Sequence, residues 1–198
     1  MKLTVELIDA SWDYCNCLKD RELDLRSNHI PMLQNLSASK DQHSTIDLSN
    51  NDIYLLGGFP RMIRLQMLLI ANNNIDRIEV GIGKQLPRLK YLQLAGNRLD
   101  RLEDLDPLAE LRDLKVLCLV GNPVTQAEGY REAVIRRIPW LQVLDWQPVK
   151  STLSVNVDEG QLKSHLPPLQ PEFKQAIEKA STLEEVALLE HSIQRRRK

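Results

Sequence analysis

Two cysteines, Cys15 and Cys17, four histidines, His29, His43, His165 and His191, and the aspartates Asp47, Asp100, Asp104 and Asp106 are the side chains in this sequence best suited to hold a metal, attack a substrate or move a proton. Their spacing does not support that work. A structural zinc site needs four ligands, and Cys15-Asn16-Cys17 has too few companions, so no metal is expected. Cys15 reads instead as packing in an N-terminal cap. The histidines are scattered, with no nucleophile paired to any of them. Asp100 to Asp106 falls in a connecting segment, where carboxylates cap short helices or stay solvated. Gly57-Gly58 and Gly81-Ile82-Gly83 lack the rest of a phosphate loop or dinucleotide fingerprint and read as turn glycines. The expectation is therefore no enzyme and no cofactor.

Composition narrows the classes further. Over 198 residues, 26 Lys and Arg balance 27 Asp and Glu, for a net charge of −1. A protein that binds nucleic acid unaided needs surplus cations to neutralise phosphates, so that class is disfavoured. A hydrophobic fraction of 42% is ordinary for a globular protein. The longest apolar run, Met67–Ala71, is far too short to span a membrane, and the first residues lack the apolar stretch of a secretory signal. Three cysteines are an odd number, which argues against a disulfide framework and for a reducing compartment.

The elements that must position any site come from an internal repeat. Leu-x-Leu-x-x-Asn, with Ile admitted at the Leu positions, recurs as Leu23–Asn28, Ile46–Asn51, Leu68–Asn73, Leu92–Asn97 and Leu117–Asn122. Two residues beyond each asparagine stands an apolar side chain: Ile30, Ile53, Ile75, Leu99 and Val124. A sixth, degraded turn, Leu141–Val149, has no asparagine. This is the period of a leucine-rich repeat. Each Leu-x-Leu is a short strand whose leucines point inward and whose x residues point outward. The turn after the strand leaves backbone N–H and C=O groups inside the coil, and an inward asparagine amide can both accept from and donate to them. One repeat cannot bury its leucines alone, so the repeats must stack. The expected fold is an α/β leucine-rich repeat solenoid, a right-handed superhelix with a parallel concave sheet of about six strands.

Stacked repeats need caps. Residues 1–20 read as the N-terminal cap: Thr4 is a candidate helix N-cap, and Val5, Ile8, Trp12 and Cys15 would share one helical face. Residues 21–149 hold the repeats and a C-terminal cap, built from a helix at 129–135, Ile138–Leu141 and the last strand, with Pro148 ending the ladder. Residues 150–170, with Gly160, Pro167 and Pro168, read as a linker. Residues 171–198 form a helical tail, with Pro171 opening one helix and a capping box at Ser181 or Thr182 opening another. The tail either flanks the solenoid or binds a second partner. The closing run Arg195–Lys198 is a solvated end, a phosphate contact or a nuclear signal.

The outward strand positions would line the concave face. The first two repeats place Glu22, Asp24, Arg26, Thr45, Asp47 and Ser49 there, all polar. The middle three place Met67, Leu69, Tyr91, Gln93, Val116, Cys118 and Val120. That apolar centre is expected to face solvent and bind a protein, unless the chain's own tail covers it. Six strands at about 4.8 Å give a face on the order of 28 Å wide, which a helix of roughly 18 residues would cross.

Particular runs resemble a known family. They are Asp20-Arg21-Glu22-Leu23-Asp24-Leu25-Arg26, Leu105-Asp106-Pro107-Leu108-Ala109, Gly121-Asn122-Pro123-Val124-Thr125, the cap around Tyr130-Arg131, Val134-Ile135 and Ile138-Pro139, and, in the tail, Ala180-Ser181-Thr182-Leu183. Together they are similar to the A-prime family of the U2 small nuclear ribonucleoprotein. The resemblance implies a nuclear, spliceosomal scaffold. Its concave face would hold a helix of a B-double-prime type protein with an RNA-recognition motif, and U2 snRNA would be bound mainly through that partner. Met67, Leu69, Tyr91, Gln93, Val116, Cys118, Glu22 and Asp24 are then the candidate partner-binding residues. Arg21, Arg26 and Lys150 are candidates for RNA phosphates, and residues 171–198 for other spliceosomal proteins. A leucine-rich regulatory subunit of a protein phosphatase, or of an axonemal or cytoskeletal complex, remains the alternative.

Overall fold

A computed structural model describes residues 3–15 and 21–149, leaving out the side chains of Trp12 and Cys15. The chain divides into two units, Met1–Val149 and Lys150–Lys198. The expected linker, the tail helices, Lys150 and the basic run all lie outside the described residues.

The front begins with helix α1 (Val5–Ala10), where Thr4 accepts a hydrogen bond from the Leu7 N–H at 3.2 Å, as an N-cap does. The expected cap helix was longer. Instead Ser11 closes it, and Trp12–Cys15 forms strand β1, antiparallel to β2 (Arg21–Asp24). Trp12 and Tyr14 stand two residues apart, a strand spacing, and pair across from Asp24 and Glu22.

After a 3-10 turn (Leu36–Ser39) come β3 (Thr45–Asp47), β4 (Leu55–Leu56), β5 (Met67–Leu69), β6 (Arg77–Ile78), α2 (Ile82–Gln85) and β7 (Tyr91–Gln93). A 3-10 helix (Leu102–Glu110), β8 (Val116–Cys118), a 3-10 turn (Pro123–Gln126), α3 (Tyr130–Arg137), β9 (Val143–Leu144) and β10 (Gln147–Pro148) follow. The main sheet runs β1-β2-β3-β5-β7-β8-β9-β10, while β4 and β6 form a second, two-stranded parallel sheet. From β2 to β9 all pairs are parallel; β1 and β10 add antiparallel edges. Pro148 does not stop pairing where expected. It lies in edge strand β10, folded back on β9, where a missing donor is tolerated.

In register across the sheet, Leu23, Ile46, Leu68, Leu92, Leu117 and Leu144 stack into one buried row. The asparagines hold the turns as the repeat requires. The Asn97 Oδ1 accepts from the Ile75 N–H at 3.1 Å, and its amide donates to the Ile70 and Leu94 carbonyls at 3.0 and 2.9 Å. Asn51, Asn73 and Asn122 repeat that pattern, each bonding its own repeat and the preceding one. Asn28, in the first repeat, has no earlier repeat to bridge: its side-chain amide donates to the nearby Arg26 carbonyl, and its backbone N–H donates to the Asn51 Oδ1 of the next repeat, both at 3.0 Å. The aspartates between repeats also serve local structure: Asp104 accepts from the Arg101 N–H at 3.0 Å at the start of its 3-10 helix.

Candidate functional site

Strand register orders the outward side chains into rows. One row runs Glu22, Thr45, Met67, Tyr91, Val116 and Val143. The next runs Asp24, Asp47, Leu69, Gln93 and Cys118, and Asp145 follows Leu144 at the corresponding place. A third, Arg26, Ser49, Ala71, Ala95 and Val120, lies where backbone hydrogen bonds continue past the strand ends. Beyond it the chain turns through left-handed residues Asn50, Asn72, Gly96 and Gly121. A Cβ on Gly96 would meet the Asn72 side-chain oxygen, so a larger residue at this left-handed position needs that side chain to shift.

The structure brings the predicted partner-binding residues together on one face but does not expose them equally. Met67, Val116 and Cys118, expected to face solvent, are buried, at 6%, 4% and 1% exposure. Each sits between in-register neighbours on strands about 4.8 Å away, and those neighbours remove most of its solvent contact. Leu69, Tyr91 and Gln93 are half-buried, and Val120 is 46% exposed. The open part of the apolar centre is therefore a strip along Leu69, Tyr91, Gln93, Ala95 and Val120. Within it the Gln93 Oε1 is buried and has no hydrogen bond among the described residues, an unmet acceptor on an otherwise apolar floor. Burial pushes the Cys118 thiol up to about 11, so at neutral pH it is a protonated packing group.

The front of the face is charged and locked. Glu22 is buried and accepts from the Tyr14 hydroxyl at 3.0 Å; burial, then Glu22 itself, raise that hydroxyl to about 12. Arg26 donates to both Asp24 oxygens, at 2.9 and 2.6 Å, and its Nε lies 3.6 Å from Asp47. The guanidinium holds the Asp24 carboxyl below its usual range, whereas burial raises that of Asp47. Beside this cluster Arg21 makes a two-pronged bond to Asp13, at 2.9 and 2.5 Å, and a third to Gln42. Both arginines offered for RNA phosphates are thus already engaged by carboxylates. At the rear, Asp145 accepts from the Leu119 N–H at 2.7 Å and the Tyr130 hydroxyl at 2.8 Å, tying the last strand to α3.

Sequence reasoning missed Tyr14, which extends the face at its front edge, and the Asp145–Tyr130 tie. The Trp12-x-Tyr14 alternation was the available signal for the first; no local pattern marks the second. Among the described residues no group of acidic, histidine or cysteine side chains is arranged to hold a metal, and no helix is long and apolar enough to cross a membrane.

Comparison with known proteins bears on what this face does. A family model described as leucine-rich repeat matches residues 1–162. The human U2 small nuclear ribonucleoprotein A' is 49% identical over 76% of this chain and 59% of its own length. The Schizosaccharomyces pombe protein of that name is 44% identical over 83% of this chain and 70% of its own length. The chain spans about three-fifths of the length of the first curated relatives it matches. A crystal structure of the Drosophila melanogaster SNF/U2A' complex is similar at a TM-score of 0.75 and 36% identity, over 96% of this chain and 99% of that one.

Proposed function

The chain belongs to the leucine-rich repeat family of U2 small nuclear ribonucleoprotein A' proteins, and we propose that it is a scaffold subunit of that particle in the nucleus, acting in pre-mRNA splicing. Its concave face takes a helix of a protein with an RNA-recognition motif, of the B-double-prime type. U2 snRNA is then reached mainly through that guest. The supporting observation is the strip of Leu69, Tyr91, Gln93 and Val120: partly open apolar side chains, an orphan acceptor in their midst and a charged, rigid front edge. Aromatic and aliphatic anchors ringed by polar groups are what a protein guest requires. A polyanion would find an acidic front instead, where Glu22, Asp24 and Asp47 stand side by side. A relative of this fold is solved in complex with a protein, SNF, which agrees with a polypeptide occupant. Asp24 borders the guest at the front of the face, with buried Glu22 holding the Tyr14 hydroxyl beside it, and residues 171–198 serve contacts with other spliceosomal proteins.

The test is affinity capture of the full chain from nuclear extract, with sequencing of the retained RNA and mass spectrometry of the retained protein. Recovery of U2 snRNA with an RNA-recognition-motif protein is expected. Recovery of a phosphatase or tubulin, with no small nuclear RNA, ends the proposal.

A further inference from the structure

We propose that the cavity beneath the N-terminal cap is a docking pocket for the phenol ring of a tyrosine carried by a protein partner, with His43 selecting that ring. The repeat itself marks the place. Two residues before the first residue of β5, β7, β8 and β9 stand Leu65, Leu89, Leu114 and Leu141, all buried, at 4% exposure or less. The same position before β3 holds His43, 5% exposed. An imidazole thus replaces a core leucine, and beside it lies a cavity of about 190 Å³. Buried Ile8, Leu23 and Ser39 and half-buried Ala38 line its floor with His43, while exposed Asp9, Asp13, Arg21, Lys40 and Gln42 line its mouth. No side chain of the concave rows lines it, so it is a site separate from the one that takes the guest.

Size, hydrogen bonding and charge together set the ligand's chemistry. A cavity of about 150 Å³ holds a benzene ring, so this one has room for a ring and a polar atom. The Ser11 hydroxyl donates to the Leu7 carbonyl at 2.5 Å and the Ser39 hydroxyl to the Leu36 carbonyl at 2.7 Å, so both have only acceptor capacity left for a ligand. The His43 Nε2 lies 3.5 Å from the Asp13 carboxylate, which draws the ring proton to that nitrogen. Nδ1 is left as a buried acceptor with no hydrogen bond among the described residues. The ligand must therefore donate. It must also be neutral, because Asp9 and Asp13 balance Arg21 and Lys40 around the mouth, and Arg21 is engaged by Asp13 and Gln42. A neutral ring with a hydroxyl donor is a phenol, whose apolar body suits Ile8, Leu23 and Ala38 while its tip meets the polar groups. An unpaired RNA base has a similar size, but its phosphates would have to pass α1, whose charged residues, Glu6 and Asp9, are both acidic. A polypeptide carries no such penalty.

The experiment titrates the full chain, isotope-labelled at its histidine rings, with p-cresol (the tyrosine side chain), N-acetyl-tyrosinamide (the same ring on a peptide backbone), toluene and uridine, read by NMR. The variants are His43→Leu, which restores the residue the other repeats carry and should raise Tm, and Ala38→Leu, which fills the cavity and leaves His43 in place. p-Cresol and N-acetyl-tyrosinamide should bind at one site and shift a single ring signal, the one His43→Leu removes. Toluene, which lacks the hydroxyl, should bind about tenfold more weakly, the worth of one hydrogen bond. Both variants should lose at least about tenfold in p-cresol affinity. Unshifted histidine signals, or wild-type affinity in Ala38→Leu, overturn the pocket. Toluene binding as tightly as p-cresol overturns selection by His43. Uridine binding more tightly than p-cresol assigns the cavity to an RNA base, and exclusion of N-acetyl-tyrosinamide assigns it to a free small molecule; either overturns a protein partner. The scaffold function is untouched by each of these results.

Discussion

Replacing Asn97 by alanine removes one acceptor and one amide from the middle of the stack. Three backbone groups lose their partner or part of it: the Ile75 N–H, the Ile70 carbonyl and the Leu94 carbonyl. Asn97 is 5% exposed, so water does not replace it. An unsatisfied buried polar group costs about 1–3 kcal/mol; the Ile75 N–H is left without a partner, while the Ile70 and Leu94 carbonyls keep the Asn73 and Asn122 amides at 3.2 and 2.8 Å, so the change amounts to about 2–3 kcal/mol. For a unit of this size that is a fall in Tm on the order of 10 °C. Urea unfolding followed by circular dichroism reads the cost directly. Asp100→Ala, an exposed change nearby, should stay within about 0.5 kcal/mol. Asn97→Asp keeps the acceptor but aims a carboxylate at two carbonyls; it should cost at least as much at pH 7 and recover in part on acidification, since protonation restores a donor. If Asn97→Ala costs no more than Asp100→Ala, the account of how these turns are held is wrong.

Two further outcomes follow from buried titratable groups. His43 is 5% exposed, with its Nε2 3.5 Å from the Asp13 carboxylate, and burial, outweighing the pull of Asp13, holds its pKa below the usual 6.5. The unfolded chain therefore binds the proton more readily, so stability from this group is present above about pH 6.5 and is lost as pH falls below it. Urea unfolding at about pH 7.5 and 5.5 should show that loss in the wild type and a smaller one in His43→Gln; equal slopes would remove His43 from the account. Cys118, buried and with its thiol raised to about 11, should resist alkylation in the native protein and react at the rate of global unfolding; peptide mapping that finds fast modification would contradict its burial.

Much of the fold was written locally. Alternating leucines and the asparagine that closes each turn need only their own repeat to be read, so register, core and outward rows follow from spacing. Exposure does not. Whether Met67 or Cys118 meets water depends on side chains one strand away, some 22 to 27 residues along the chain, and no local pattern records that. The cap failed differently. Val5, Ile8, Trp12 and Cys15 fit a helical period, but pairing with β2 drew the second half into a strand, a tertiary contact overriding a local preference. The charged front was visible as residue types, yet the pairing of Arg26 with Asp24, and of Arg21 with Asp13, depended on side-chain geometry.

The most direct test of a protein-filled concave face is calorimetric titration, without RNA, of an RNA-recognition-motif partner into the wild type, Leu69→Asp and Tyr91→Asp. A charge set into the open apolar strip should weaken binding by about 2 kcal/mol or more, roughly 30-fold, in both variants while leaving each folded. Wild-type affinity in both would mean that the guest sits elsewhere.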